Sequence, residues 1–225
     1  MSTDERGLVP RSNPTSPQMR GLMAVRSGNR LLPEQVPDDR TAAGYLRMAA
    51  HILLRAQRQP FRTLGVVSPR SGAGKTTAAV NLAVCLGRTR GRTGRVLLVD
   101  GDVRGRGLTT LICGEQEANE GDHPLLVSTA FDGVDLMTAP KPVDQLTLYD
   151  PAAWSRTLHE LGERYEQVVV DCPAVLEQPE GMVLRECVEE IVIVLREETP
   201  KAELDEALRA VGRRVLGVLL AERDR

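Results

Sequence analysis

The stretch that decides the fold runs Val66-Val67-Ser68-Pro69-Arg70-Ser71-Gly72-Ala73-Gly74-Lys75-Thr76-Thr77. An apolar run, a turn carrying two glycines, then Lys-Thr and Ala78-Ala79-Val80-Asn81-Leu82-Ala83 describe a buried strand feeding a helix. Gly72 and Gly74 permit a tight turn whose backbone amides point inward, where phosphate oxygens accept hydrogen bonds. The helix beginning near Lys75 adds partial positive charge. The spacing makes Ser71, Gly72, Ala73, Gly74, Lys75, Thr76 and Thr77 the candidate phosphate-binding residues. Lys75 is expected to reach the β- and γ-phosphates, and the Thr76 hydroxyl to coordinate magnesium. Pro69 stands where the simplest form of such a loop has glycine.

Outward from this loop the same alternation repeats. Thr63 to Val67 predicts the strand before it, and Thr76 to Gly87 the helix after it, with Ala79, Leu82, Ala83 and Leu86 on one side. Ahead of them, TAAGYLRMAAHILLRAQR from Thr41 places Tyr45, Met48, Ala49, Ile52 and Leu53 at helical spacing. Further strands are predicted over 95–100, 134–138, 167–171, 191–195 and 215–220, and helices over 151–164 and 201–211, the former with Pro151 in its first turn. Near-continuous Val/Leu/Ile strands separated by helices predict an α/β fold, a mostly parallel sheet covered by helices on both faces. In such sheets ligands bind beyond the carboxyl ends of the strands. Asp100 and Asp171 each end an apolar strand there, with Asp102 just beyond. Beside a phosphate loop, one carboxylate can hold magnesium through water while another orients or deprotonates an attacking hydroxyl. Arg104 and Arg106, in GDVRGRG, are divided between contact with phosphate or a neighbouring subunit and plain solvation.

Composition bounds the rest. The 225 residues suffice for one substantial domain, and a net charge of −2 gives no support to nucleic-acid binding, so no nucleic acid is expected. Cys85, Cys113, Cys172 and Cys187 are widely spaced, with no CxxC pair, which argues against a zinc site or a disulfide framework and fits a reducing, cytoplasmic setting. The amino terminus has no apolar core of a signal peptide, and no stretch reaches bilayer-spanning length. Membrane association would therefore run through a partner. Residues 1–37, rich in Pro, Ser, Gly, Asn and Arg, are expected to form a flexible arm, and residues 38–225 a single nucleotide-binding domain. An excess of Glu and Asp between Glu160 and Glu206 reads as a solvated helical face or a surface for a partner.

The motifs together resemble the bacterial tyrosine kinases of polysaccharide export (BY-kinases), relatives of the ParA/MinD and Mrp-type ATPases. The resemblance rests on SPRSGAGKTTAAVNLA (68–83), VLLVDGDVRGR (96–106) and VVVDCPA (168–174), and it extends over roughly Thr41 to Asp224. Pro69 is familiar in that family; Ser71 and Ala73 depart modestly from its usual proline and acidic residue. The resemblance implies a deviant Walker-type P-loop NTPase that uses ATP and Mg2+. It implies Asp100 and Asp102, with Lys75, as the catalytic group, and Thr76, Asp102 and Asp171 as the magnesium residues. The partner it implies is a polysaccharide co-polymerase or other inner-membrane export protein, and it admits a homo-oligomer.

Departures divide the question. Of the family's ExxRxxR segment only the last arginine remains, as Arg47, with Thr41 and Gly44 at the other positions; Ala221 stands where the family has an asparagine near adenine. The family's tyrosine-rich tail is not expected in this chain, and Tyr45, Tyr149 and Tyr165 are scattered. The expectation is ATP binding with tyrosine-kinase or ATPase activity; autophosphorylation does not follow from these residues. The alternatives are a ParA/MinD-like ATPase switch, with Arg70 at the position of that group's signature lysine, and a non-catalytic scaffold of the export complex.

Overall fold

Side-chain alternation along the central strands sorts the core into two halves. Leu64, Val66, Val96, Leu98 and Val169 point to one face, and Val67, Leu97, Val99, Val168 and Val170 to the other. Each strand is buried on both sides, which is why these runs read as continuous hydrophobic stretches. In the computed structural model, residues 23–28, 40–90, 95–114, 123–140, 150–212 and 214–222 are described.

The strands are β1 (Met23–Gly28), β2 (Thr63–Val67), β3 (Val96–Asp100), β4 (Leu126–Ser128), β5 (Val134–Met137), β6 (Gln167–Asp171), β7 (Glu190–Arg196) and β8 (Val215–Glu222). The helices are α1 (Arg40–Arg58), α2 (Lys75–Arg90), α3 (Gly107–Cys113), α4 (Pro151–Arg164), α5 (Pro179–Cys187) and α6 (Lys201–Val211). The sheet order is β1-β8-β7-β2-β6-β3-β5-β4. Every pairing is parallel except that of β4 with β5. One face is covered by α1 and α2, whose Tyr45, Met48, Ala49, Ile52, Ala79, Leu82, Ala83 and Leu86 are all buried, with Leu53 half-buried beside them. The other is covered by α4, α5 and α6 through Leu158, Leu161, Leu184, Ala207, Leu208 and Val211.

The mostly parallel α/β sheet expected from the sequence is thus the one observed, with one correction. Met23–Gly28 lies within the stretch expected to be a flexible arm, yet it pairs in parallel along the whole of Gly217–Glu222. That backbone ladder supplies what the segment's side-chain pattern did not announce: β8 would otherwise be an open edge. The short β4 and α3 were also not predicted, being too brief to show a period.

Candidate nucleotide and metal site

The loop between β2 and α2 sits at the carboxyl ends of the central strands. Gly72 and Gly74 have φ of 77° and 89°, the left-handed region where a side chain is strained. Lys75, the first residue of α2, is 8% exposed, and Ala73 is buried as well. The loop is moored from both sides. Ser68 Oγ donates to the Arg70 carbonyl at 2.6 Å, and the Val175 and Leu176 amides donate to the carbonyls of Ser68 and Pro69.

The carboxylates arrive from neighbouring strands. Asp100 and Asp171 are register partners at the ends of β3 and β6 and are each 1% exposed. Gly101 makes this approach possible: its amide donates to the Asp171 carbonyl at 3.0 Å, and a Cβ there would stand 2.6 Å from Leu184 Cδ2 and 2.9 Å from that carbonyl oxygen. Thr76 Oγ1 donates to Asp171 Oδ2 at 2.7 Å, tying the phosphate loop to the carboxylate. Asp100 Oδ2 accepts from both the amide and the hydroxyl of Thr109. Asp100 Oδ1 and Asp171 Oδ1 are buried with no hydrogen-bond partner among the described residues.

Two acids so placed resist ionisation. Burial pushes Asp171 up to about 7, against the pull of Lys75 and the Thr76 hydroxyl, with Asp100 and Asp102 adding to the rise. Burial also raises Asp100, opposed by the Thr109 hydrogen bonds. A cation would relieve both, and the orphaned oxygens are the hard donors that magnesium prefers. Among the described residues no group of three or more His, Cys, Asp or Glu side chains could hold a metal alone. The donors fit an ion that takes one or two carboxylates and completes its shell with phosphate oxygens and water.

Asp102 stands further out and half-buried, with Oδ1 accepting from the Gly105 amide at 2.9 Å, so part of it is spent on its own turn. The two arginines of that turn are engaged within the chain: Arg104 pairs with Glu180, and Arg106, at φ 49°, donates twice to the Ala139 carbonyl. Arg70 is likewise bound at home, its Nε donating to Glu203 at 2.9 Å and its Nη1 lying 3.4 Å from Glu177. Glu177 also accepts from the Ser71 amide at 2.8 Å, and that bond, with Arg70 behind it, holds its carboxyl below the usual range. Arg47 is exposed on α1, and Ala221 is buried in β8 beside Arg196 of β7. Tyr149 lies outside the described residues.

The structure therefore brings Lys75, Thr76, Asp100 and Asp171 together and leaves Asp102 at the margin. Sequence reasoning missed Thr109, Glu177 and Gly101. Glu177 reaches the loop across 106 positions, a separation that leaves no local signal.

A family model described as the CobQ/CobB/MinD/ParA nucleotide binding domain matches residues 64–225. The tyrosine-protein kinase CpsD of Streptococcus pneumoniae is 23% identical over 181 residues, which cover 73% of this chain and 77% of that protein. The kinase domain of the Escherichia coli tyrosine kinase ETK superposes with a TM-score of 0.69 at 16% identity, covering 89% of this chain and 90% of that one. The septum site-determining protein MinD of Pyrococcus horikoshii, in complex with Mg-ADP, superposes with a TM-score of 0.54 at 30% identity over 71% of this chain and 69% of its own.

Proposed function

The chain belongs to the CobQ/CobB/MinD/ParA nucleotide-binding domain family, and from that premise we propose that it binds Mg-ATP on the loop 71–77 and transfers the γ-phosphoryl group to a hydroxyl. The acceptor is a tyrosine of a partner, a membrane co-polymerase of polysaccharide export, beside which the chain works in the cytoplasm. One observation carries the reading: two buried carboxylates in register at adjacent strand ends each keep an oxygen without a donor among the described residues, and one of them is tied to the hydroxyl of the Lys-Thr pair. The kinship to proteins named tyrosine kinases supports the transferase form. Among the described residues no helix is long and apolar enough to cross a membrane.

In this reading the amides around Gly72 and Gly74 cradle the phosphates, and Lys75 balances their charge. Thr76 and Asp171 would hold magnesium, Asp171 through water and Asp102 from the outer edge. When bound, that ion draws negative charge from the phosphate oxygens. Asp100 orients the attacking hydroxyl and accepts its proton at Oδ1.

A ParA/MinD-like ATPase switch is the second reading, favoured by the 30% identity to MinD and by the cation Arg70. Here Arg70 spends its hydrogen bonds on Glu177 and Glu203 of its own chain, which favours the transferase. Calorimetry of the protein and its Lys75→Ala variant with Mg-ADP tests the common core. Binding weakened at least about tenfold in the variant is expected from loss of the phosphate-bound charge, and a wild-type chain that binds no nucleotide sinks both readings. Labelled ATP then separates them: label on partner tyrosine supports the kinase, and phosphate release without label supports the switch. Partner assembly unchanged by Lys75→Ala, with no turnover in either protein, leaves the non-catalytic scaffold.

A further inference from the structure

Three hydrogen bonds stand behind Asp100, two of them in series and the third beside them. The Ala139 amide donates to Thr109 Oγ1 at 2.9 Å, Thr109 Oγ1 donates to Asp100 Oδ2 at 2.6 Å, and the Thr109 amide donates to the same oxygen at 2.7 Å. The far side of the series is fixed too, because Arg106 Nε and Nη2 donate to the Ala139 carbonyl at 3.2 and 3.0 Å. Asp100, Thr109 and Ala139 are each 1% exposed, so water does not compete for these bonds.

The direction of the series follows from donor arithmetic. A threonine hydroxyl has one proton and two lone pairs. The Ala139 amide has only a proton to give, so it occupies a lone pair of Oγ1 and leaves the hydroxyl proton for the carboxylate. Asp100 Oδ2 then holds two donors, while Oδ1 has none among the described residues. Rotating the carboxyl by half a turn would exchange these oxygens and change nothing. Rotating it by less breaks two buried hydrogen bonds at once.

We propose that Thr109 is a positioning residue for Asp100, supported by Ala139 and Arg106, and that its task is to hold one oxygen so that the other is presented to the reacting hydroxyl. This rests on the phosphotransfer reading given above. It also gives Arg106, one of the two arginines of the GDVRGRG turn, a role that solvation would not: the guanidinium braces the peptide on which the series hangs.

The discriminating substitutions are Thr109→Val, which keeps the branched shape and removes the donor, and Thr109→Ser, which keeps the donor and removes a methyl. Nucleotide affinity is read from the fluorescence of Trp154, the chain's one tryptophan, which lines a small hollow with Asp102; turnover and a crystal structure of each protein complete the set. Thr109→Val is expected to bind Mg-ADP within about threefold of wild type and to lose at least about tenfold in kcat, a general base's contribution being of that order or larger. Thr109→Ser is expected to recover most of the loss. Wild-type kcat in the valine variant overturns the proposal, and so does an equal loss in both variants, which would mark a packing role. If Thr109→Val does not fold, Thr109→Ala is judged by the same criteria. If wild type binds nucleotide without turnover, the crystal structures decide. A carboxylate turned from its wild-type orientation in the valine variant, but not in the serine variant, supports the proposal, and an unturned one overturns it. A wild-type chain that binds no nucleotide overturns the phosphotransfer reading and this proposal together.

Discussion

Asp171 is buried, hydrogen-bonded at one oxygen and without a partner among the described residues at the other. Its folded pKa of about 7 lies above its ordinary value of 3.8, so the native state holds an extra proton between those pH values. The sign follows: stability falls as pH rises through that window, with the full penalty above 7 and none below about 4. Asp171→Asn removes the penalty. Without nucleotide or magnesium, the variant is therefore expected to be more stable than wild type at pH 8 by roughly 2–4 kcal/mol, an upper bound, and several degrees higher in melting temperature. The gap should close toward pH 4, and Mg-ADP should stabilise wild type but not the variant. Thermal melts across pH check this, and a variant no more stable at pH 8 would show that Asp171 does not bear the burial cost. The sequence already marked this residue, because a carboxylate ending an apolar strand in a sheet with a phosphate loop is a local, readable pattern. Thr109 was not legible for the opposite reason: a threonine in a seven-residue helix has no period, and its meaning comes from Ala139, thirty positions away.

At the scale of elements, the strands and helices with a full hydrophobic period were readable, and those whose existence depends on a neighbour were not. α4 and α6 fall on the residues their spacing predicts because each carries several turns of one-sided apolar pattern. β1 is different. Six residues, MAVRSG, lack a strand's alternation, and their order comes from the ladder to β8 and from packing beside α1. An edge strand of this kind closes a row of backbone donors and acceptors that would otherwise invite another chain. Removing residues 1–37 is therefore expected to do more than shorten an arm. The truncated protein should melt at a lower temperature and show concentration-dependent association in light scattering. Unchanged melting and a monodisperse monomer would mean that β8 needs no cover.

Across the whole molecule, the placement of tyrosine bears on what receives the phosphoryl group. The chain has three tyrosines, and two of them lie in the described core. Tyr45 is 1% exposed on the inner face of α1. Tyr165 is 5% exposed, donates its hydroxyl to Asp135 Oδ2 at 3.0 Å, and has the Arg95 guanidinium 5.6 Å from its ring centroid. Burial and the hydrogen bond to Asp135 also raise its pKa, so the phenol is further from the anionic form. Phosphorylating Tyr45 would place about two negative charges inside the apolar core, and at Tyr165 the Asp135 carboxylate would stand against the product. The loop 71–77 and the carboxylates lie at the carboxyl ends of the strands, whereas Arg95 and Tyr165 lie just before β3 and β6, at the opposite end of the sheet. The same folded chain cannot bring Tyr165 to its own loop. Incubation with Mg-ATP followed by peptide mapping is thus expected to find no phosphate on Tyr45 or Tyr165, alone or with the proposed partner present, and, if the proposed phosphotransfer holds, label on that partner in the second case. Phosphate on Tyr165 would mean that the Arg95–Asp135–Tyr165 cluster opens under native conditions. Tyr165→Phe leaves Asp135 with one donor fewer and is expected to lower stability by about 1 kcal/mol, and a thermal melt unchanged by the substitution would show that the hydroxyl does not hold the cluster together.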